Sequence, residues 1–406
     1  MLERNLLFAG LLLALACPVT AEPAASRAWT NNQQQTFEGK LIETTGDDAV
    51  IERKDGKRFH VAIATLSAPD RQYVAISAAA ARAADSGSTG AKNHRGLLAG
   101  YDGSSPNFGS PWPTLVKCED KVAITVISED EGSKEFIYES PHFRFQSNAV
   151  MRKSLISKIA LLFEASYEWH QSVPLNNRRT RSKDAPKLKA RLFETVEQYH
   201  TGGGPAGSAG VYMSGKDTFM VPFAEVGAKK IGSGYMYNFN GDPHTMLHEL
   251  THQLWADVHT GGTWFVEGLA EYMASVPYRG GTFNYTGHAR AIKDYALAFG
   301  KKGKGGRALG DHITMPHLEK LMSYNQEEFY AGKSRNYGLG LLLVTYFIDM
   351  DGNKDGAVFK NAIRALQEGK SQAESNKALL NGRSYEELEH DFAKAWRGGG
   401  ATIEFQ

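Results

Sequence analysis

Two histidines four residues apart, with a glutamate after the first, restrict this chain more than any other feature. The run His248-Glu249-Leu250-Thr251-His252 brings its polar side chains together only on a helix, where residues i and i+4 share a face one turn apart. The flanks agree with that. Asp242 suits an N-cap and Pro243 the first helical position, while Met246, Leu247, Leu250, Leu254 and Trp255 supply apolar surface. Gly261 and Gly262 end the segment, so a helix is predicted over 243–256. On it, His248 and His252 can share one zinc ion, and Glu249 can reach a water on the same metal. Zinc lowers the pKa of such a water toward about 7, so that a carboxylate can take its proton. The expected chemistry is metal-assisted hydrolysis.

A catalytic zinc needs a third protein ligand and keeps its fourth position for water. The candidates lie in Thr263-Trp264-Phe265-Val266-Glu267-Gly268-Leu269-Ala270-Glu271-Tyr272. Glu267 and Glu271 share one face of a second, largely apolar helix, and buried carboxylates need partners. One can bind the metal while the other accepts the free N–H of a ligand histidine. His-Glu-Leu-Thr-His followed by Trp-Phe-Val-Glu-Gly-Leu-Ala-Glu-Tyr resembles a gluzincin metallopeptidase, the clan of the thermolysin and aminopeptidase N families. In that clan a second helix delivers the glutamate ligand from an Asn-Glu-Gly-like segment. Val266-Glu267-Gly268 matches it, which makes Glu267 the ligand and Glu271 the acid behind the histidine. Spacing points the other way. Fourteen residues lie between His252 and Glu267, and eighteen between His252 and Glu271, the aminopeptidase N value.

The wider resemblance is to the peptidase-MA-like domain of exported bacterial proteins. It is carried by Ser140-Pro141-His142-Phe143, Leu192-Phe193-Glu194-Thr195, Gly207 to Tyr212 and the two helices, over about 137–395. It implies the fold and a single catalytic Zn2+. Tyr337-Gly338-Leu339-Gly340-Leu341-Leu342 resembles the helix start that carries a transition-state tyrosine in aminopeptidase N relatives. Tyr337 is therefore the oxyanion candidate, with Tyr330 in reserve. Gly210, Val211 and Tyr212 are expected on an edge strand that binds an extended peptide through its main chain. The aminopeptidases carry an amine-binding glutamate there. Gly207-Ser208-Ala209-Gly210 has none, which leaves an endopeptidase open.

The remainder of the chain sets the context. Its 406 residues carry a net charge of +1, which gives no argument for a nucleic-acid partner. Leu6 to Ala16 after Arg4 reads as a secretory signal cleaved after Ala21, for a secreted or periplasmic protein; a lipoprotein through Cys17 is the alternative. No later run reaches the roughly 18 apolar residues of a membrane helix. After cleavage Cys118 is the only cysteine, so no intrachain disulfide is expected.

Residues 26–75 read as a small β module, with a hairpin at Lys54-Asp55-Gly56-Lys57 and one strand face of Phe59, Val61 and Ile63. Trp29-Thr30, that turn, and Leu66-Ser67 with Asp70 resemble the SLA-one homology domain, an SH3-like barrel. In an endocytic adaptor that module binds short peptides; here a peptide or cell-envelope ligand, or a passive spacer, follows from the resemblance. A linker is expected over 76–117, pinned at its end by Trp112 and Leu115. Strands are expected at Lys121 to Ile127, Phe136 to Phe145, Leu188 to Phe193 and in a hairpin at 210–222, with a helix over 150–167. After the histidine helix the chain reads as mostly helical, with a capping box at Ser384 and Glu387. Asp351-Gly352-Asn353-Lys354-Asp355-Gly356 reads as a helix–helix turn, because Ala362 stands where a calcium loop needs glutamate. The whole predicts an α+β protein: a small N-terminal barrel, then a metallopeptidase domain over 118–400. The alternative is a non-catalytic protein stabilised by zinc.

Overall fold

The computed structural model describes residues 26–31, 35–45, 48–66, 70, 74, 106–119, 121–179, 185–232, 234–238, 242–298 and 306–406. The expected signal segment with Cys17, Ser67 and residues 76–105 lie outside them. The chain divides into two units, 1–87 and 88–406, and is of mixed α+β class.

In the first unit β1 (Arg27–Thr30), β2 (Thr36–Thr45), β3 (Asp48–Glu52) and β4 (Arg58–Ala62) form an antiparallel sheet in chain order. The expected barrel does not close among the described residues. A single bridge, Asn31 to Leu66, returns the chain after β4 to the end of β1. Trp29 is fully buried and its indole N–H donates to the Gly39 carbonyl at 2.9 Å. Asp70 accepts from the Thr30 N–H and from Arg27, both at 2.7 Å, so two of the residues that carry the SLA-one resemblance, Thr30 and Asp70, are bonded. The Asp55-Gly56 hairpin forms, with Gly56 at φ +77°. The expected apolar face holds at Val61 and Ile63, which pack against the core, and is corrected at Phe59. Phe59 is 41% exposed beneath the Arg53 guanidinium, and Ile63 lies beyond the strand in a 3-10 turn.

The second unit starts earlier than the sequence implied. Asn107 bonds main-chain groups of Val173 and Asn176 at 2.8 and 2.6 Å. Trp112 stacks on Tyr285 with centroids 5.1 Å apart. Leu115 is itself exposed, but β5 (Leu115–Lys117) pairs with a later strand, so the end of the expected linker belongs to this unit. The central sheet takes β6 (Thr125–Asp130), β7 (Glu135–Glu139), β8 (Phe143–Ser147), β9 (Leu188–Phe193), β10 (Val211–Met213) and β11 (Thr218–Pro222), in the order β10-β11-β9-β8-β7-β6. The single strand expected across 136–145 is broken by the Ser140–His142 turn. β8, β9 and β11 run parallel, while β10 is an antiparallel edge. Helix α1 (Lys153–Ser172) starts three residues late and runs five long. It buries Leu155, Ile159, Leu162 and Phe163 as the periodicity requires. Phe163 meets Phe143, Phe145 and Phe219 edge-on at 5.1–5.5 Å, which fixes the helix on the sheet.

After the short α2 (Val196–Thr201) and the hairpin of β12 (Ala228–Ile231) and β13 (Gly234–Tyr237) come α3 (His244–Leu254) and α4 (Thr263–Ala274). The Asp242 carboxylate accepts the His244 N–H at 3.1 Å, so α3 begins one residue later than expected. Gly262, at φ +86°, turns the chain into α4. The small β14 (Tyr278–Arg279) and β15 (Thr282–Asn284) extend β5. The rest is helical, as expected: α5 (His288–Leu297), α6 (Leu318–Ser323), α7 (Gln326–Ala331), α8 (Lys333–Thr345), α9 (Ala357–Gln367), α10 (Gln372–Leu380) and α11 (Tyr385–Gly399). One exception is a parallel pair, β16 (His312–Met315) with β17 (Thr402–Phe405), which carries the unit past the expected end at 400. Ser384 and Glu387 form their capping box, and Asp351 pairs with Arg383 instead of opening a calcium loop. Among the described residues no helix is long and apolar enough to cross a membrane.

One contact of this half decides where the polar residues end up. A Cβ on Gly268 of α4 would stand 2.6 Å from the Gly340 carbonyl of α8, and one on Gly340 would stand 3.1 Å from the Trp264 carbonyl. The two helices therefore touch backbone to backbone, which only glycine permits. That approach brings the start of α8 over the Glu267 face of α4.

Candidate metal centre

Helices α3 and α4 bring His248, His252 and Glu267 to one point. His248 Nε2 lies 3.0 Å from His252 Nε2 and 3.1 Å from Glu267 Oε2, and the third edge, His252 Nε2 to Glu267 Oε2, is 3.3 Å. A tetrahedral zinc with bonds of about 2.0 Å requires ligand atoms about 3.3 Å apart. The three donors thus form a triangle close to one face of such a tetrahedron, and their types are those zinc prefers. Among the described residues they are the only group of three that could hold a metal ion. Nδ1 of His248 lies 2.8 Å from Glu271 Oε1, in an approach bent from a linear hydrogen bond but close enough for an ion pair. Glu267 thus lies with the two histidines in the triangle that could hold a metal ion, and Glu271 stands behind His248, the arrangement that the local sequence favours over the spacing.

Both carboxylates are braced by residues outside the two helices. The Tyr330 hydroxyl donates to Glu267 Oε1 at 2.7 Å, leaving Oε2 toward the histidines. Arg307 grips Glu271 in bidentate fashion, at 2.8 and 2.5 Å. Burial alone would raise both carboxyls. The His252 and His248 imidazoles outweigh it at Glu267, and His248, His244 and Arg307 outweigh it at Glu271, so both stay well below the usual range. Burial would lower His248, but the two glutamates raise it. A metal bound at Nε2 would have to displace any proton held there.

Glu249, half-buried on the next face of α3, accepts the Tyr212 N–H of β10 through Oε2 at 2.9 Å; its Oε1 makes no hydrogen bond among the described residues. Tyr212 is thereby a residue whose main chain faces away from β11. By the two-residue alternation Val211 turns its main chain to β11. The Val211 side chain packs with Phe193, Tyr199 and Met220. Of the three residues expected at the substrate edge, Tyr212 thus turns its main chain outward and Val211 does not, while Gly210 lies just before β10 and is buried. Tyr337 lies with its ring centroid 5.9 Å from that of His248, stacked on Tyr330 and covered by the Arg307 guanidinium at 4.7 Å. Burial pushes both phenols up, with Glu267 adding to the effect. They remain protonated donors. Tyr330 is committed to Glu267, whereas the Tyr337 hydroxyl bonds no described residue.

Arg307 is the site residue that sequence reasoning missed. It follows Lys301-Lys302-Gly303-Lys304-Gly305-Gly306, a composition that signals a solvated loop. Its position comes from main-chain bonds that tie 307–310 to the last carbonyls of α5, Arg307 N to Tyr295 O at 2.8 Å among them. Gly338 supplies the space, since a Cβ there would meet the Arg307 Cβ at 2.9 Å. No other described histidine joins the donor triangle: His244, near enough to act on Glu271, stacks on Tyr295, His288 bonds the Tyr272 carbonyl and His317 pairs with Glu389. Burial, with Glu164 and Glu168 nearby, pushes the Cys118 thiol up to about 11, which suits a structural thiol. No protein-family model matches this chain, and no curated protein matches it.

Proposed function

We propose that this chain is an exported zinc-dependent peptidase, most simply an endopeptidase. The observation that carries the reading is the triangle of His248, His252 and Glu267 with Glu249 beside it. Only three protein donors converge among the described residues. A structural zinc takes four, while a catalytic one keeps a position for water. When bound there, zinc supplies Lewis acidity, which acidifies a water and polarises a carbonyl.

The protein groups then have separate tasks. Glu249 takes the proton of the attacking water at Oε1 and passes it to the leaving amine. Tyr337 donates its hydroxyl to the oxygen that gains charge. An extended substrate lies along β10 and pairs with the carbonyl of Tyr212, because the Tyr212 N–H is already given to Glu249. Tyr330 and Arg307 hold the two glutamates and take no part in the chemistry. The test is Glu249→Gln beside wild type on a broad peptide library. The variant should keep zinc and lose cleavage by about 10²–10⁴-fold. Wild type that holds zinc and cleaves no peptide would favour the non-catalytic alternative.

A further inference from the structure

We infer that Arg179, Asp217 and Tyr212 form a positioning unit that holds the edge strand β10 against Glu249 and so aims the base. The inference rests on the peptidase reading for its kinetic consequence and on the geometry alone for its structural one.

β10 is only three residues long, and strand β11 supports it on one side. Its other side is the open edge, and the single bond that reaches Glu249 from there is the Tyr212 N–H. A main-chain donor cannot be re-aimed by a rotamer. Its place is set by the place of the strand. Something must therefore fix β10 laterally, and the Tyr212 side chain does so. Its hydroxyl donates to Asp217 Oδ1 at 2.9 Å, and burial followed by the Asp217 charge pushes this phenol up, so the donor stays protonated. Asp217 closes the β10–β11 turn in the left-handed region, at φ +46°. Its carboxylate is gripped by the Arg179 guanidinium, whose side chain is 5% exposed.

Arg179 is anchored to the metal-binding half. Its N–H donates to Asn177 Oδ1 at 3.0 Å, its carbonyl accepts from Gln171 of α1 at 3.0 Å, and Asn177 Nδ2 donates to the Leu254 carbonyl in the last turn of α3 at 2.8 Å. A continuous set of bonds thus runs from the end of the histidine helix through Asn177, Arg179, Asp217 and Tyr212 back to Glu249 on the same helix. The closed loop fixes the strand and the base relative to each other. Chemistry is sensitive to this: a displacement of about 1 Å can cost roughly 100-fold in rate.

Neither Arg179 nor Asp217 lies near the metal donors, so cutting the unit should separate positioning from metal binding. Tyr212→Phe removes one hydroxyl and keeps the ring and the main-chain N–H; Asp217→Asn removes the charge that Arg179 holds. In both, zinc content is expected to stay at the wild-type level. Exchange of the Tyr212 amide hydrogen is expected to rise about tenfold, the equivalent of roughly one hydrogen bond. kcat should fall about 3- to 10-fold on the same basis, with KM changing less. Glu249→Ala alone should expose the Tyr212 amide as well. The decision lies with Tyr212→Phe, the variant least able to disturb folding. A Tyr212 amide as protected there as in wild type, with kcat unchanged, overturns the inference. Wild type that cleaves no peptide would sink the proposed function but leave the amide measurements to decide this one.

Discussion

The two sides of the candidate cleft are built differently. On the helical side α3, α4 and the start of α8 bury charged side chains, with Glu271 fully enclosed and Glu267 5% exposed. Each is held by several partners. On the strand side, β10 offers main-chain groups, and its side chains serve only to place the strand. Buried charges fail all at once, since losing one partner leaves the other uncompensated. A main-chain edge fails by drifting. Damage to the helical side should therefore appear as lost metal, and damage to the strand side as lost rate with metal retained.

The largest effect should come from Glu267→Ala. It removes a donor and leaves two histidines, so zinc affinity should drop by more than the roughly 10–100-fold that loss of a partner behind a ligand costs. Glu271→Gln, which removes only such a partner, should stay within that smaller range. Zinc titration against a competing chelator measures both, and the reverse order would exchange the roles of the two glutamates.

Next in size is Gly268→Ala. The added Cβ would sit 2.6 Å from the Gly340 carbonyl, forcing α4 and α8 apart at a cost of about 1–3 kcal/mol. Thermal unfolding would show it, and an unchanged melting point would mean that the helices are not in contact as described. If they part, Tyr337 of α8 also shifts from His248, so peptide cleavage should fall with stability.

A separate effect concerns pH. His170 and His288 are lowered by burial to about 3, and His244 to about 4. All three are neutral when folded and protonate near 6.5 when unfolded. Their stabilisation is lost as pH falls below about 6.5, by about 1.4 kcal/mol per unit for each group. Asp349, raised to about 6 by burial, acts the other way, because its folded form binds a proton more tightly than the unfolded chain. Asp257 and Glu168, also raised by burial, act as Asp349 does, but the three imidazoles shift further, so denaturation midpoints should fall from pH 6.5 to 4.5. A flat or rising profile would contradict the burial of these rings.

What could be read from the chain beforehand follows the same division. The histidine helix, the Glu267–Glu271 pair, α1 and the β10–β11 hairpin were visible because each is a local pattern with a period. Arg307 was not, because an arginine after a glycine-lysine run has no period and is placed by main-chain bonds to α5. The α4–α8 contact was hidden for a related reason: Gly268 and Gly340 become informative only once the two helices are known to face each other. β16 and β17 pair parallel across some ninety residues, a separation that no local pattern spans. The apolar alternation in β4 misled at Phe59, because Arg53 covers that ring without burying it.

The role proposed for this centre is to hold zinc for peptide cleavage. It is tested most directly by measuring zinc content and peptide-library cleavage on wild type and Glu249→Gln prepared side by side. About one zinc per chain is expected in both proteins, with cleavage in wild type alone. Absence of zinc from carefully handled wild type, or equal cleavage by the two, would contradict it.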